Sequence, residues 1–318
     1  MRPLHLAVLV ALSVIWGSAF MLVKVVLEEV PPLTLVAGRL FGAFLFLSLT
    51  LLLGGRWLPR RREAWLAFLA LGLVNNVWPF TLLTWSQQHI ESSLAAILTS
   101  SMTLSTAVLS HFWIKERLTI DRALGILVGF AGVFVLIGAD LRDITESSTL
   151  GQLAVVGGVL GYAFGTVFAR RYLQGADPTE TAAGQTLVGA AVMVPVALAV
   201  DRPFDLVISA KIALAWATLG ILASAVAYLL FFRLIRDITA TQASMVSYLI
   251  PVTAVFLGAL VLDERLGANS FVGLGLIIVG VGVVNGGGRW AVERFRGERR
   301  AVEGGPVGGA GGGGSRER

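Results

Sequence analysis

Glu116-Arg117-Leu118-Thr119-Ile120-Asp121-Arg122-Ala123-Leu124-Gly125 returns 148 positions later as Glu264-Arg265-Leu266-Gly267-Ala268-Asn269-Ser270-Phe271-Val272-Gly273. The offset keeps the Glu-Arg-Leu triplet and the glycine that follows it. It also carries Gly132 onto Gly280, Ala95 onto Ala243, and Leu109 onto Leu257. Further upstream, Leu66, Ala67, Leu71 and Gly72 fall on Leu214, Ala215, Leu219 and Gly220, and Trp16-Gly17-Ser18-Ala19-Phe20 falls on Phe164-Gly165-Thr166-Val167-Phe168. Only the second and seventh apolar runs need a small shift. A repeat of this length constrains the architecture more than any single motif does.

The units being repeated belong in a bilayer. Apolar residues make up 56% of the 318 positions and charged residues only 14%, with a mean hydropathy of +0.80. A soluble domain carries about 25% charge to wet its surface, so the main solvent here is lipid. A hydrocarbon core of about 30 Å needs about 20 apolar residues per helix. Ten runs meet that demand, at about 4–24, 33–53, 64–85, 92–113, 121–139, 149–171, 181–200, 210–232, 240–262 and 268–287. Strands would leave unpaired backbone in lipid, and porin-like alternation is absent, so the spans are helices. The first run follows Arg2 as a signal peptide would, but it is long, ends at Lys24 without a small-residue cleavage site, and reads as a retained helix.

Each repeat holds five crossings, an odd number, so the second copy enters the membrane from the opposite side. The expected fold is an all-α membrane protein of ten transmembrane helices in two inverted five-helix repeats, 4–139 and 149–287. A glycine- and arginine-rich tail at 288–318 has too little apolar surface to order itself. Of 25 Lys and Arg, 19 lie in the tail and in the loops on the side of the N-terminus. By the positive-inside rule both termini are cytoplasmic, in the inner (plasma) membrane of the cell. The net charge of +5 reflects that asymmetry, and nucleic acid is not an expected partner.

The paired Glu-Arg-Leu segments, the glycine-rich spans behind them and the Trp-Gly-Ser-Ala-Phe of the first span resemble the EamA domains of the drug/metabolite transporter superfamily, across about residues 4–287. That resemblance implies ten helices, cytoplasmic termini and export of amino acids or related metabolites through a central cavity. Inverted repeats supply alternating access, because two similar halves that exchange conformations turn an inward-open cavity outward.

Candidate binding residues are polar or aromatic groups at depths where lipid does not welcome them. Arg39 lies inside the second span, where an unpaired charge costs at least a few kcal/mol. It either holds a substrate carboxylate or phosphate with its guanidinium fork, or snorkels toward helix-end carbonyls, Glu28 or Glu29. Asn75 and Asn76 are adjacent amides in mid-span, so at least one should bond a neighbouring helix or the substrate; Gln185 is of the same kind. Trp16, Trp78, Phe164 and Tyr228 sit at middle depths, as cavity walls or as packing. Ser100 and Thr103 share a face of the fourth span with Ala96 and map onto Tyr248, Pro251 and Ser244 of the ninth. The glycines at 125, 129, 132, 273 and 280 read as close helix packing, and Glu116 and Glu264 as caps or local ion pairs.

Absent cysteine removes thiol chemistry, and all acidic residues fall in loops, at span ends or in the tail, which leaves no mid-membrane carboxylate relay. No cofactor or metal is expected, and no H-E-x-x-H, G-x-S-x-G or paired intramembrane carboxylate supports a membrane enzyme acting on lipid-linked substrates. That enzyme, or a receptor or scaffold, is the alternative to a monomeric carrier of small molecules.

Overall fold

A computed structural model describes residues 3–138, 147–237 and 245–285. The tail expected from 288 onward and Ser244 lie outside them. The helices are α1 (Pro3–Val26), α2 (Pro32–Leu53), α3 (Arg62–Ser86), α4 (Ser92–Ile114), α5 (Ile120–Gly138), α6 (Ser147–Tyr172), α7 (Pro178–Val200), α8 (Ala210–Phe231), α9 (Met245–Val261) and α10 (Ala268–Val284). Eight are long and apolar enough to cross a membrane; α9 and α10 are shorter apolar helices. Large apolar side chains such as Leu53, Phe134, Leu214 and Phe256 stand more than 60% exposed around the bundle. Such a surface suits lipid and not water.

The two repeats interleave. The broadest pairings are α5 with α10, α2 with α7 and α3 with α6, followed by α1 with α9 and its repeat equivalent, α6 with α4. Glycine makes the first of these a backbone contact. A methyl group at Gly280 would lie 2.5 Å from the Gly125 carbonyl oxygen, and one at Gly132 would lie 2.7 Å from that of Gly273. Without a hydrophobic driving force between helices, this closeness is the source of dispersion energy. Gly17 lets α1 cross α9 in the same way, 2.7 Å from Thr253 Cβ.

Three helices depart from regularity where the sequence predicts plain spans. In α3, Gly72–Val77 forms a π-helical turn. In α8, Leu219–Val226 does the same, at the equivalent register once 148 is added. Span α4 breaks between Thr99 and Met102. There the Ser100 and Ser101 hydroxyls turn back onto the carbonyls of Ile97 and Leu98, a competing bond that loosens the helix ladder.

Both repeats end their fourth span alike. Lys115 (φ 57°) and Asp263 (φ 53°) adopt the left-handed conformation. The following glutamate N–H then closes onto the helix, Glu116 N on Ser110 O at 3.3 Å and Glu264 N on Gly258 O at 3.1 Å. A left-handed residue just past a helix is the usual way to satisfy its last carbonyls.

A candidate substrate site around Arg39

The π-turn of α8 widens the helix and frees two groups toward the interior. Ser224 Oγ donates to Leu219 O, five residues back, at 2.9 Å and accepts from Arg39 Nε at 2.9 Å. The neighbouring Ala223 carbonyl accepts from Trp16 Nε1 at 3.2 Å. A second anchor for the guanidinium is the Phe80 ring, whose centroid lies 4.0 Å from Arg39 Cζ, a cation–π contact. The phenols of Tyr162 and Tyr228 lie within electrostatic range, and Trp16 packs edge-on against Tyr228 at 6.3 Å between centroids.

No carboxylate balances Arg39 among the described residues. The two glutamates expected to draw it outward are engaged elsewhere: Glu28 pairs with Lys211 at 3.4 Å, and Glu29 accepts from the Ser209 backbone at 2.6 Å. The snorkelling reading therefore fails. Arg39 is held sideways by a hydroxyl and a ring, neither of which carries negative charge.

One turn along α6 from Tyr162 lies Thr166, whose hydroxyl donates to the Tyr162 carbonyl at 2.8 Å. Thr166 also lines a cavity of about 360 Å³ at the end of the bundle that carries the N-terminus. Its wall includes Thr103, Thr106, Ser110, Glu116, Arg117, Arg122, Arg170 and Asn285. Glu116 bridges Arg122 at 3.2 Å and Arg170 at 3.5 Å. The lining thus holds three arginines against one glutamate.

Of the residues singled out by sequence, Trp16, Arg39 and Tyr228 are brought together, and Thr103 lines the cavity. Asn75 donates to Gln185 Oε1 at 3.4 Å, tying α3 to α7. Asn76 is 1% exposed, and its Nδ2 has no partner among the described residues. Tyr248 accepts from Asn285 Nδ2 at 3.1 Å, beside the cavity mouth. Pro251 is buried within α9 and Ser100 bonds its own helix.

Trp78 and Phe164 are not brought to the site. Trp78 is 55% exposed and its indole donates to Gly157 O at 2.9 Å. Gly157 shares a stripe of α6 with the exposed Leu153, Leu160 and Phe164, opposite the Tyr162–Thr166 face at helical spacing. Both rings therefore belong to the outward surface. Sequence reasoning missed Phe80, Tyr162 and Ser224. The repeat held a signal for two of them, since Phe80 is the equivalent of Tyr228 and Ser224 the equivalent of Asn76.

The EamA-like transporter family model matches twice, over residues 4–138 and 149–286. Among curated proteins, the chain is 26% identical over 277 residues to "Uncharacterized transporter YoaV" of Bacillus subtilis (86% of this chain, 94% of that one). It is 28% identical over 282 residues to "Uncharacterized inner membrane transporter YedA" of Escherichia coli K12 (87% and 89%). A plant relative, "WAT1-related protein At3g02690, chloroplastic" of Arabidopsis thaliana, is 27% identical over 291 residues (89% and 69%). A solved crystal structure that is 19% identical superposes with a TM-score of 0.64 over 89% of this chain and 98% of its own, and so shares the fold. Two copies of the family's domain, folded as the interleaved halves of one helical bundle, place this chain in the EamA-like transporter family of membrane transporters.

Proposed function

We propose that this transporter exports small metabolites bearing a carboxylate, amino acids among them, as a secondary carrier or facilitator working by alternating access between its inverted repeats. The observation that carries this reading is Arg39, an enclosed guanidinium with Ser224 and Phe80 as neighbours and no carboxylate partner among the described residues. A fixed cation in a low-dielectric site attracts an anionic group far more strongly than it would in water, and the guanidinium fork suits a carboxylate. The aromatic groups Phe80, Tyr162, Tyr228 and Trp16 offer apolar surface for the remainder of an amphipathic solute.

The arginine-rich cavity supports the same substrate class. Arg117, Arg122 and Arg170 give a positive mouth that raises the local concentration of anions. With the termini cytoplasmic, as arginine placement favours, this mouth faces the cell interior and collects substrate for export. In this reading the protein acts as a monomer in the plasma membrane.

The test is flux in liposomes of purified protein, with a panel of labelled amino acids and their amides. Preference for free carboxylates over the amides, lost in Arg39→Ala, is the expected result. Equal flux of acid and amide would overturn the assignment of Arg39 as the carboxylate anchor. Product formation without a gradient would favour the enzymatic alternative.

A further inference from the structure

Glu116 and Glu264 leave equivalent left-handed caps of equivalent helices, 148 residues apart, yet they end in different surroundings. Glu264 crosses from the α9–α10 turn of the second repeat to the start of α4 in the first. Its Oε1 accepts from Ser92 N at 2.7 Å, and its Oε2 from Ser93 N at 3.0 Å and from Ser93 Oγ. Those two N–H groups belong to the first turn of α4, where donors lack helical partners and the helix dipole favours an anion. Gly258 makes the crossing possible, because a Cβ there would collide with Ser93 Oγ and Glu264 Oε2.

A second charge clasps the same turn. Lys24, near the end of α1, donates through Nζ to Gln87 O at 2.6 Å and Ile90 O at 2.8 Å. The α3–α4 turn is thus held by an ammonium from one side and by Glu264 from the other. Among the described residues Glu116 makes no such crossing, and positions 240 and 241, the equivalents of Ser92 and Ser93, lie outside them. The Glu116 carboxylate lies with Arg122 and Arg170 on the rim of the cavity, and position 110 there is serine in place of the glycine at 258.

We infer that Glu264 is the latch of the bundle end opposite the termini, and that its withdrawal from Ser92 and Ser93 is the step that opens that end. In this conformation the bonds of Glu264 join the two repeats at that end, while Glu116 lies at the other end on the rim of the cavity. The inference rests on the alternating-access reading above. Its test reads conformation and not flux, so the two can fail separately.

The chain has no cysteine, so paired spin labels can be placed without background. Gln88, on the α3–α4 turn, and Ala268, at the start of α10, are both exposed and serve as labelling sites for pulsed distance measurement in lipid. The otherwise unaltered protein should give one predominantly short distance. Glu264→Gln, which keeps the shape but removes the charge, should raise the ratio of long to short distances by about tenfold, since hydrogen bonds to a charged group are the stronger kind. Gly258→Ala, whose methyl would press on Ser93 Oγ and Glu264 Oε2 without altering the chemistry of either, should shift it the same way, and Glu116→Gln should leave it unchanged. Unaltered distances in both Glu264→Gln and Gly258→Ala would overturn the latch. Should Glu264→Gln unfold, Gly258→Ala alone decides. A shift in distances from protein that moves no solute would uphold the latch while refuting the proposed transport.

Discussion

Phe80, whose ring centroid lies 4.0 Å from Arg39 Cζ, and Tyr228, whose ring meets Trp16 edge-on at 6.3 Å, are equivalent positions 148 residues apart in the two repeats. Repeat symmetry supplies the two rings, and the asymmetric element is the arginine beside Phe80. Its counterpart region in α7 carries none.

Phe80→Leu should keep the apolar volume but remove the ring quadrupole beneath Arg39. A desolvated cation–π contact contributes about 2 kcal/mol and an exposed one about 0.5–1. Thermal unfolding in detergent should therefore fall by a few degrees, and apparent substrate affinity should change with it, because the guanidinium is no longer held. Unchanged melting and unchanged affinity would show the contact to be idle.

Arg39→Lys retains the charge and loses the planar fork. Bidentate pairing is then impossible, so apparent affinity for a carboxylate substrate should weaken by about tenfold, the equivalent of 1.4 kcal/mol. Arg39→Ala should weaken it further while preserving the fold. Flux against substrate concentration for the three proteins measures both steps.

Glycine substitutions in α10 should separate by their neighbours. Gly280→Ala drives a methyl toward the Gly125 carbonyl and the Gly129 backbone, 2.5–2.6 Å away, and main chain cannot yield as a side chain does. Overpacking of this kind costs about 1–3 kcal/mol. At Gly275 nothing lies within 4 Å, so Gly275→Ala should stabilise by up to about 1 kcal/mol through helix propensity. Melting temperatures of the two variants should move in opposite directions.

Acid should loosen the terminal end of α7. Asp177 caps that helix, accepting from Thr179 N at 2.9 Å and Glu180 N at 3.0 Å, and pairs with Arg56 at 3.0 Å. Burial alone would raise its pKa, but the Glu180 N–H, the Arg56 guanidinium and the Thr179 N–H together bring it below the usual carboxylate value. A depressed folded-state pKa gives stability that is present above the unfolded value and lost as pH falls through the folded one. Melting temperature should therefore drop on acidification below about pH 4. Asp177→Asn, which can still cap, should flatten that slope.

Glu91 should show the reverse sign. Burial, and then the neighbouring Glu264 charge, hold its pKa above the ordinary carboxylate value, against the Arg265 backbone bond and Lys24. A raised acid pKa means that the folded state binds the proton more tightly, so stability declines as pH rises from the unfolded value through the folded one. Glu91→Gln should raise the melting temperature at neutral pH relative to the unaltered protein and leave it little changed near pH 4. A drop at neutral pH would show that the Glu91 charge is needed by Lys24.

The repeat was readable because small residues and caps at fixed spacing are what two interleaved bundles require. Gly125, Gly132, Gly273 and Gly280 were placed correctly as helix contacts for that reason. Arg39 was legible as an anomaly of depth, since a charge in lipid must be accounted for. Trp78 and Phe164 lie on the outward surface, which their depth could not foretell because depth says nothing about direction. Nor could residue spacing foretell the π-turns in α3 and α8, which change the helical phase that such spacing presumes.

Sequence by itself determined that this chain crosses a membrane ten times in two inverted halves, because composition, span length and a constant offset of 148 depend only on the order of residues. Tertiary structure decided how the members of each equivalent pair differ: Trp16 packed against Tyr228 and Phe164 on the outward surface, Glu264 bonded to Ser92 and Ser93 and Glu116 on the cavity rim. The physical reason is the solvent. In water a helix marks its buried face by hydrophobicity, but in lipid both faces are apolar, and only the packed neighbours reveal which one looks inward.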